Sequence, residues 1–197
     1  MKRLELSFYQ RNSVLLAQKL LGKYLIRNIG GDRIMTKIVE TEAYMGPEDK
    51  AAHSYNNRRT QRTEVMFGRP GKAYVYMIYG MYYCLNIVAG EEEIPEAVLI
   101  RGVEPIEGIE ILKQNRKIKG KQINNLTNGP GKLCEALAID KSLNGSDLVF
   151  RNEIYILDSK EKPDIVKSKR INIDYAEEYV NKLWRFYIRD NIFVSRP

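Results

Sequence analysis

Residues 74–84 read Y-V-Y-M-I-Y-G-M-Y-Y-C and run on into L-N-I-V, so two alternating segments meet at a single glycine. Gly80 takes positive φ freely, and the pattern predicts a β-hairpin with Tyr79 at its tip. In the first strand Tyr74, Tyr76 and Ile78 share one face, and Val75, Met77 and Tyr79 the other. Five of the thirteen tyrosines fall within the ten positions 74–83. Tyrosine favours strands and packs well there, which accounts for Tyr74, Tyr82 and Tyr83 as packing residues. A ring on a protruding tip is different, because its exposed apolar surface needs a receiver. A stacked nucleobase is one, worth about 1–3 kcal/mol.

The rest of the chain supplies a scaffold for such a hairpin. Asn12 is placed to cap a helix over 12–23 whose Val14, Leu15, Ala17, Leu20 and Leu21 form the core face, closed by Gly22. Tyr24–Asn28 and Ile34–Glu40 read as strands around a Gly30-Gly31 turn, the second continuing into E-T-E-A-Y. Ala97–Val103 is a β-branched strand ending at Arg101-Gly102. Glu104–Lys113 then reads as a helix with Pro105 just inside its start. G-P-G-K-L-C-E-A-L-A-I at 129–139 is a turn feeding a helix with Leu133, Ala136 and Leu137 inward. Strands are expected near 147–157 and 183–189, with a short helix near 175–182. These elements predict an α+β fold in one domain spanning 1–197: a curved, mainly antiparallel sheet with helices about it and a protruding hairpin.

Charge narrows the partner. Thirty-two Lys and Arg against 25 Asp and Glu give +7, which favours polyanions, although many small proteins are this basic without a specific reason. The apolar runs are short and broken by charge, and no signal-peptide core follows M-K-R-L-E, so no membrane association is expected and the cytoplasm is the expected location. Cys84 and Cys134 stand fifty positions apart and His53 is the only histidine, so neither a disulfide framework nor a zinc site has its ligands. Both cysteines are expected in the core. G-P-G-K is no phosphate loop, since four residues are needed between its first Gly and the G-K pair, and Leu133 stands where Ser or Thr is required.

Upstream of the hairpin lies V-E-T-E-A-Y-M-G-P-E-D-K-A-A-H-S, in which Glu40, Glu42 and Tyr44 share strand parity and His53 follows eleven residues after Glu42. Singly, paired glutamates read as a solvated edge and a lone histidine as a structural hydrogen bond. Together with the hairpin, A-V-L-I-R-G-V-E-P-I-E-G and N-G-P-G-K-L-C-E-A-L, in this order and spacing, the chain resembles the alkyladenine (3-methyladenine) DNA glycosylases. The resemblance runs from about residue 8 to R-F-Y-I-R-D-N-I-F-V-S and is weakest over 155–180.

The resemblance implies removal of damaged purines from duplex DNA: a flipped nucleotide enters an aromatic pocket, and water cleaves its N-glycosidic bond without metal or other cofactor. Glu42 matches the catalytic carboxylate that activates the water, with Glu40 structural. Tyr44, His53 and Tyr76 match the walls of the base pocket, Asn86 a residue that discriminates against guanine, and Arg101 one that holds the water and the sugar-phosphate side. Tyr79, with Met81 beside it, matches the intercalating wedge, and Arg58, Arg62 and Lys132 match backbone contacts. N3- or N7-alkylated purines are cationic and leave without protonation, whereas neutral lesions such as hypoxanthine need an acid that the sequence does not identify. One departure stands out. The family commonly reads R-x-T-P-R-N after the histidine, and this chain has R-R-T-Q-R-T, with Gln61 and Thr63 for Pro and Asn. A monomer acting on duplex DNA with damaged purines is the expected state. The competing expectation is a non-catalytic RNA- or single-strand-binding module with the tyrosines as a stacking platform and Glu42 an edge charge.

Overall fold

Alternation of side chains along strands decides the architecture. The computed structural model describes residues 1–117 and 122–196. Among them an antiparallel sheet is built from β1 (Tyr24–Ile29), β2 (Asp32–Tyr44), β3 (Ala73–Ile78), β4 (Tyr82–Ala89), β5 (Glu96–Glu107), β6 (Ile154–Leu157), β7 (Ile165–Ser168) and β8 (Arg185–Ile188). Its main order is β3-β4-β5-β2-β1-β6. The far half of β2 pairs with β8, Glu40 opposite Tyr187, and β8 pairs in turn with β7. The helices are α1 (Leu6–Tyr9), α2 (Ser13–Leu20), α3 (Ile109–Arg116) and α4 (Pro130–Ala136). This is the expected α+β class with a curled antiparallel sheet.

One face of the sheet carries the main core, where Val75 of β3, Leu85 and Ile87 of β4, and Val98 and Ile100 of β5 pack with Leu16, Ala17 and Leu20 of α2 and Leu133 and Ala136 of α4. The intervening residues, Tyr74 and Tyr76, Cys84 and Asn86, Leu99 and Arg101, therefore line the opposite face, where the cavity described below lies. Period-two alternation thus separates packing from chemistry strand by strand.

In β2 that separation needs a correction in mid-strand. Ile34 and Ile38 face the main core, so unbroken parity would send Glu40 and Glu42 there too, two carboxylates among aliphatic side chains. The register with β5 shifts between Ile38 and Glu40 and again between Glu40 and Thr41. This β-bulge lets Val39 leave for a separate cluster with Phe193 and Val194, and Thr41 returns to the core side, donating to Ala17 O at 2.9 Å. Glu40 and Glu42 are thereby turned to the cavity side. Gly102 sits opposite Glu40, where a Cβ would lie 2.7 Å from Phe193 O and 3.3 Å from Glu40 Cβ. Gly102→Ala is expected to force the 193–196 segment off the sheet at a cost of ~1–3 kcal/mol; a melting temperature equal to wild type would contradict this close approach.

Several sequence expectations are revised. Asn12 does cap α2, accepting from Leu15 N at 2.9 Å, but the inward residue is Leu16, fully buried, while Leu15 is exposed. Leu137 and Leu133 face inward as expected. Pro105 lies in β5, not at a helix start: it pairs with Thr36 beside another register shift, where a strand tolerates a residue without N–H. The helix begins only at Ile109, after Gly108 at φ 79°. Asp147 makes only an isolated bridge to Lys72, residues 148–153 are turn and irregular chain ahead of the short β6, and β7 was not foreseen. Cys84 and Cys134 are both buried and unpaired.

Candidate active site

The hairpin closes as its sequence predicts, with Met81 N donating to Ile78 O at 3.2 Å. Gly80 has φ 69°, but Tyr79 also has positive φ, 50°, an uncommon state for a bulky residue and the conformation that a type I′ reversal asks of both central residues. Its ring is 79% exposed, and Met81 beside it 68%. Tyr82 is half exposed with its ring against Gly131, and Tyr83 packs on the main core.

Between this hairpin and residues 171–175 and 195–196 lies a cavity of about 670 Å³, within the usual range for a small-molecule site. Its walls include Tyr44, His53, Tyr76, Asn86 and Arg101, five of the residues singled out from sequence. Rings dominate one side: His53 and Tyr76 meet edge-on with centroids 4.6 Å apart, and Tyr74 and Tyr76 are 5.2 Å apart. Tyr74 does more than pack, because its hydroxyl meets His53 Nδ1 at 3.0 Å. Asn86 is nearly fully buried and donates its amide to Tyr74 O at 3.2 Å, leaving its carbonyl oxygen as the free acceptor.

His53 is pushed down to about 4 by burial and by Arg62 and Arg58 nearby. It is therefore neutral near pH 7, so it does not repel a cation in the cavity. The linkage has a definite sign: the unfolded chain takes up this proton from about pH 6.5 downward and the folded chain only near 4, so this residue's stabilising contribution falls as pH drops through that interval. Wild type is accordingly expected to lose its stability advantage over H53Q between pH 7 and pH 5 in denaturant melts. A pH-independent difference would contradict a buried neutral ring.

Glu42 is fully buried and lies behind the cavity wall rather than in it, bound to three residues that form the wall. Ile171 N donates to Oε1 at 2.8 Å, Tyr44 Oη to Oε2 at 3.0 Å, and Arg101 Nη1 stands 3.4 Å from Oε2. Burial and the neighbouring Glu42 raise Tyr44 well above the ordinary phenol range, so its proton stays on oxygen and donates. Glu40, also buried, accepts from Arg185 at 2.8 Å and from Ser195 N and Oγ at 2.7 and 3.0 Å, with Arg101 Nε at 3.3 Å. Burial works against the Arg101 charge, yet Glu42 and Glu40 raise its pKa above the ordinary value. Two carboxylates and two guanidiniums thus share one buried network, with Glu40 saturated by framework donors and Glu42 closer to the cavity.

The basic residues divide. Arg62 is exposed over the Tyr76 ring at 4.7 Å and Arg58 lines a smaller adjoining cleft with it. Lys132 is turned to Asn125 and Asn128, whose side-chain oxygens it meets at 2.7 and 2.9 Å. Among the described residues no cluster of three or more His, Cys, Asp or Glu is arranged to hold a metal, and no helix is long and apolar enough to cross a membrane.

Residues 7–192 match the family model described as methylpurine-DNA glycosylase. The chain belongs to the methylpurine-DNA glycosylase family. It is a DNA glycosylase, a hydrolase of N-glycosyl bonds, and not the non-catalytic binding module of the competing expectation. A relative from Natranaerobius thermophilus is 54% identical over 98% of both chains, and one from Desulfitobacterium hafniense 54% identical over 99% of both. A third, from Clostridium perfringens, is 50% identical over 98% of this chain and 99% of its own. All three carry the name "Putative 3-methyladenine DNA glycosylase".

Against that family pattern the R-R-T-Q-R-T loop keeps a closed geometry. Thr63 is buried; its hydroxyl accepts from Thr60 N at 2.8 Å and donates to Arg58 O at 2.9 Å, which fixes the loop where the common pattern has Asn. Gln61 is exposed. The carboxylates and the turn beside them are also bonded to residues that the sequence did not announce: Asp49, Arg170, the Ile171 amide, Arg185 and Ser195.

Proposed function

We propose that this DNA glycosylase removes alkylated purines, 3-methyladenine and 7-methylguanine foremost, by flipping the damaged nucleotide out of the duplex and hydrolysing its N-glycosidic bond with a Glu42-activated water. The observation that carries this reading is the buried Glu42 carboxylate, held by three donors directly behind an aromatic-walled cavity. An ionised carboxylate is acceptor-only, and the Arg101 contact is longer than a strong charge-assisted bond, roughly 2.7–2.9 Å. A water seated between Arg101 and Tyr44 would take that vacant strength and pass its proton to Glu42 as it attacks C1′. The glycosidic electron pair leaves with the purine. An alkylated purine is cationic, so departure neutralises it and no acid is required.

In this reading Tyr44, His53 and Tyr76 stack on and border the extruded base, and Asn86 discriminates at its edge. Electron-rich rings favour a cationic base through cation–π attraction, and neutral His53 does not oppose it. Arg101 and Glu42 stabilise the charge that develops on the sugar. Tyr79, with Met81, fills the gap that the base leaves, while Arg58, Arg62 and Lys132 track phosphates without reading sequence. The chain acts as a single-domain monomer.

Base release from duplexes carrying 3-methyladenine, 7-methylguanine, hypoxanthine, ethenoadenine or no damage tests the assignment. Release of the two cationic bases and none from the undamaged duplex is expected; absence of release from every damaged duplex sinks it. Borohydride should trap no covalent adduct, because water and not an amine is the nucleophile.

A further inference from the structure

Arg170 does not itself line the cavity, yet it ties together the end of β2, the turn at 45–51 and the segment leading into Ile171. Its guanidinium is fully buried and pairs in bidentate fashion with buried Asp49, Nη1 to Oδ2 at 2.5 Å and Nη2 to Oδ1 at 2.8 Å. Nη1 also donates to Ala43 O at 3.0 Å, at the end of β2. The flat group stands over the Tyr44 ring at 4.8 Å and the Trp184 ring at 5.1 Å. Asp49 in turn accepts from Met45 N at 3.2 Å and Ala51 N at 3.0 Å, which fixes the turn leading to His53. The next residue after Arg170 is Ile171, whose N–H holds Glu42 at 2.8 Å.

Resting on the proposed role of Glu42, we infer that Arg170 is a positioning residue for the glycosylase reaction, setting the Ile171 amide and the Tyr44 hydroxyl on the Glu42 carboxylate through its pair with Asp49. A purely structural ion pair would need no such neighbours. Here one guanidinium restrains two of the three donors to Glu42, one by stacking on its ring and one through the adjoining peptide. The turn carrying a base-pocket wall is restrained by the same pair. Lysine cannot reproduce this, since an ammonium neither pairs in bidentate fashion nor stacks as a plane.

The polar side chains facing Glu42 are the Arg101 guanidinium from β5 and the neutral Tyr44 hydroxyl from β2, with Glu40 and Arg185 of β8 one bond further away.

The experiment is single-turnover release of 7-methylguanine by R170K and D49N, alongside affinity for a duplex with a tetrahydrofuran abasic site. Trp184, the sole tryptophan, reports the stack by its emission. A tenfold or greater rate loss in R170K, affinity within about twofold of wild type and altered Trp184 emission are expected, with a smaller loss of the same kind in D49N. A folded R170K with wild-type rate overturns the inference, as does a rate loss matched by an equal loss of affinity. If R170K does not fold, D49N decides by the same criteria. E42Q run in parallel separates the two levels: wild-type release by E42Q removes the role of Glu42 itself, whatever R170K does.

Discussion

Glu42→Gln is expected to lower base release by on the order of 10²–10⁴-fold, the range that a general base supplies, while affinity for the damaged duplex stays at or above wild type. The substitution keeps shape and removes the charge and the proton acceptor. Structurally it is survivable: the Gln carbonyl can still accept from Ile171 N, the Tyr44 hydroxyl can turn to accept from the new amide, and Arg101 keeps Glu40 and Ser195 at 3.3 and 3.4 Å. One amide hydrogen facing Arg101 remains, at a cost of about 1–3 kcal/mol. A modest fall in melting temperature is therefore expected beside a large fall in rate. Burial sharpens the test, since Glu42 is reached only through the wall formed by Tyr44, Arg101 and Ile171. If E42Q released base within a few-fold of the wild-type rate, this carboxylate would be as structural as Glu40, and water activation would have to be sought elsewhere on the wall.

What could be read from the sequence follows from distance along the chain. Glu42, Tyr44 and His53 lie in one run and the hairpin is local, so the motif, the face that Glu42 and Tyr44 share and the alternation within the hairpin were accessible. Asp49 with Arg170 and Glu42 with Ile171 are joined across 121 and 129 positions, and no local pattern pairs them. The segment near Arg170 also carries the weakest resemblance and a strand, β7, of four residues. The bulge in β2 was hidden for another reason: Ile38 and Glu40 share parity, and only packing makes the chain spend a residue to part them. Pro105 misled because proline at a helix start and proline at a strand irregularity look alike until the partner strand is known. Leu15 and Leu16 differ by one position on an eight-residue helix, and which of them turns inward depends on where the sheet lies.

Tyr79→Ser should separate flipping from chemistry. The ring is four-fifths exposed at the tip of the hairpin, so its loss should leave stability close to wild type. On duplex DNA it removes a stack worth about 1–3 kcal/mol, equivalent to roughly 5- to 150-fold in the fraction of extruded nucleotide. The backbone supplies an independent reason to assign the ring a function. Tyr79 is held at φ 50°, a left-handed state costing about 1–2 kcal/mol for a residue with a Cβ. Tyr79→Gly should recover that backbone cost and raise stability while losing the same activity as the serine variant, an opposition that a packing role would not produce. The substrate completes the test: in a lesion already unpaired in single-stranded or bulged DNA, extrusion is cheap, so both variants should approach the wild-type rate there. Full activity on duplex DNA would remove the wedge. Equal losses on paired and unpaired lesions would move Tyr79 from the gap in the duplex to the wall of the cavity, whose rim it also forms.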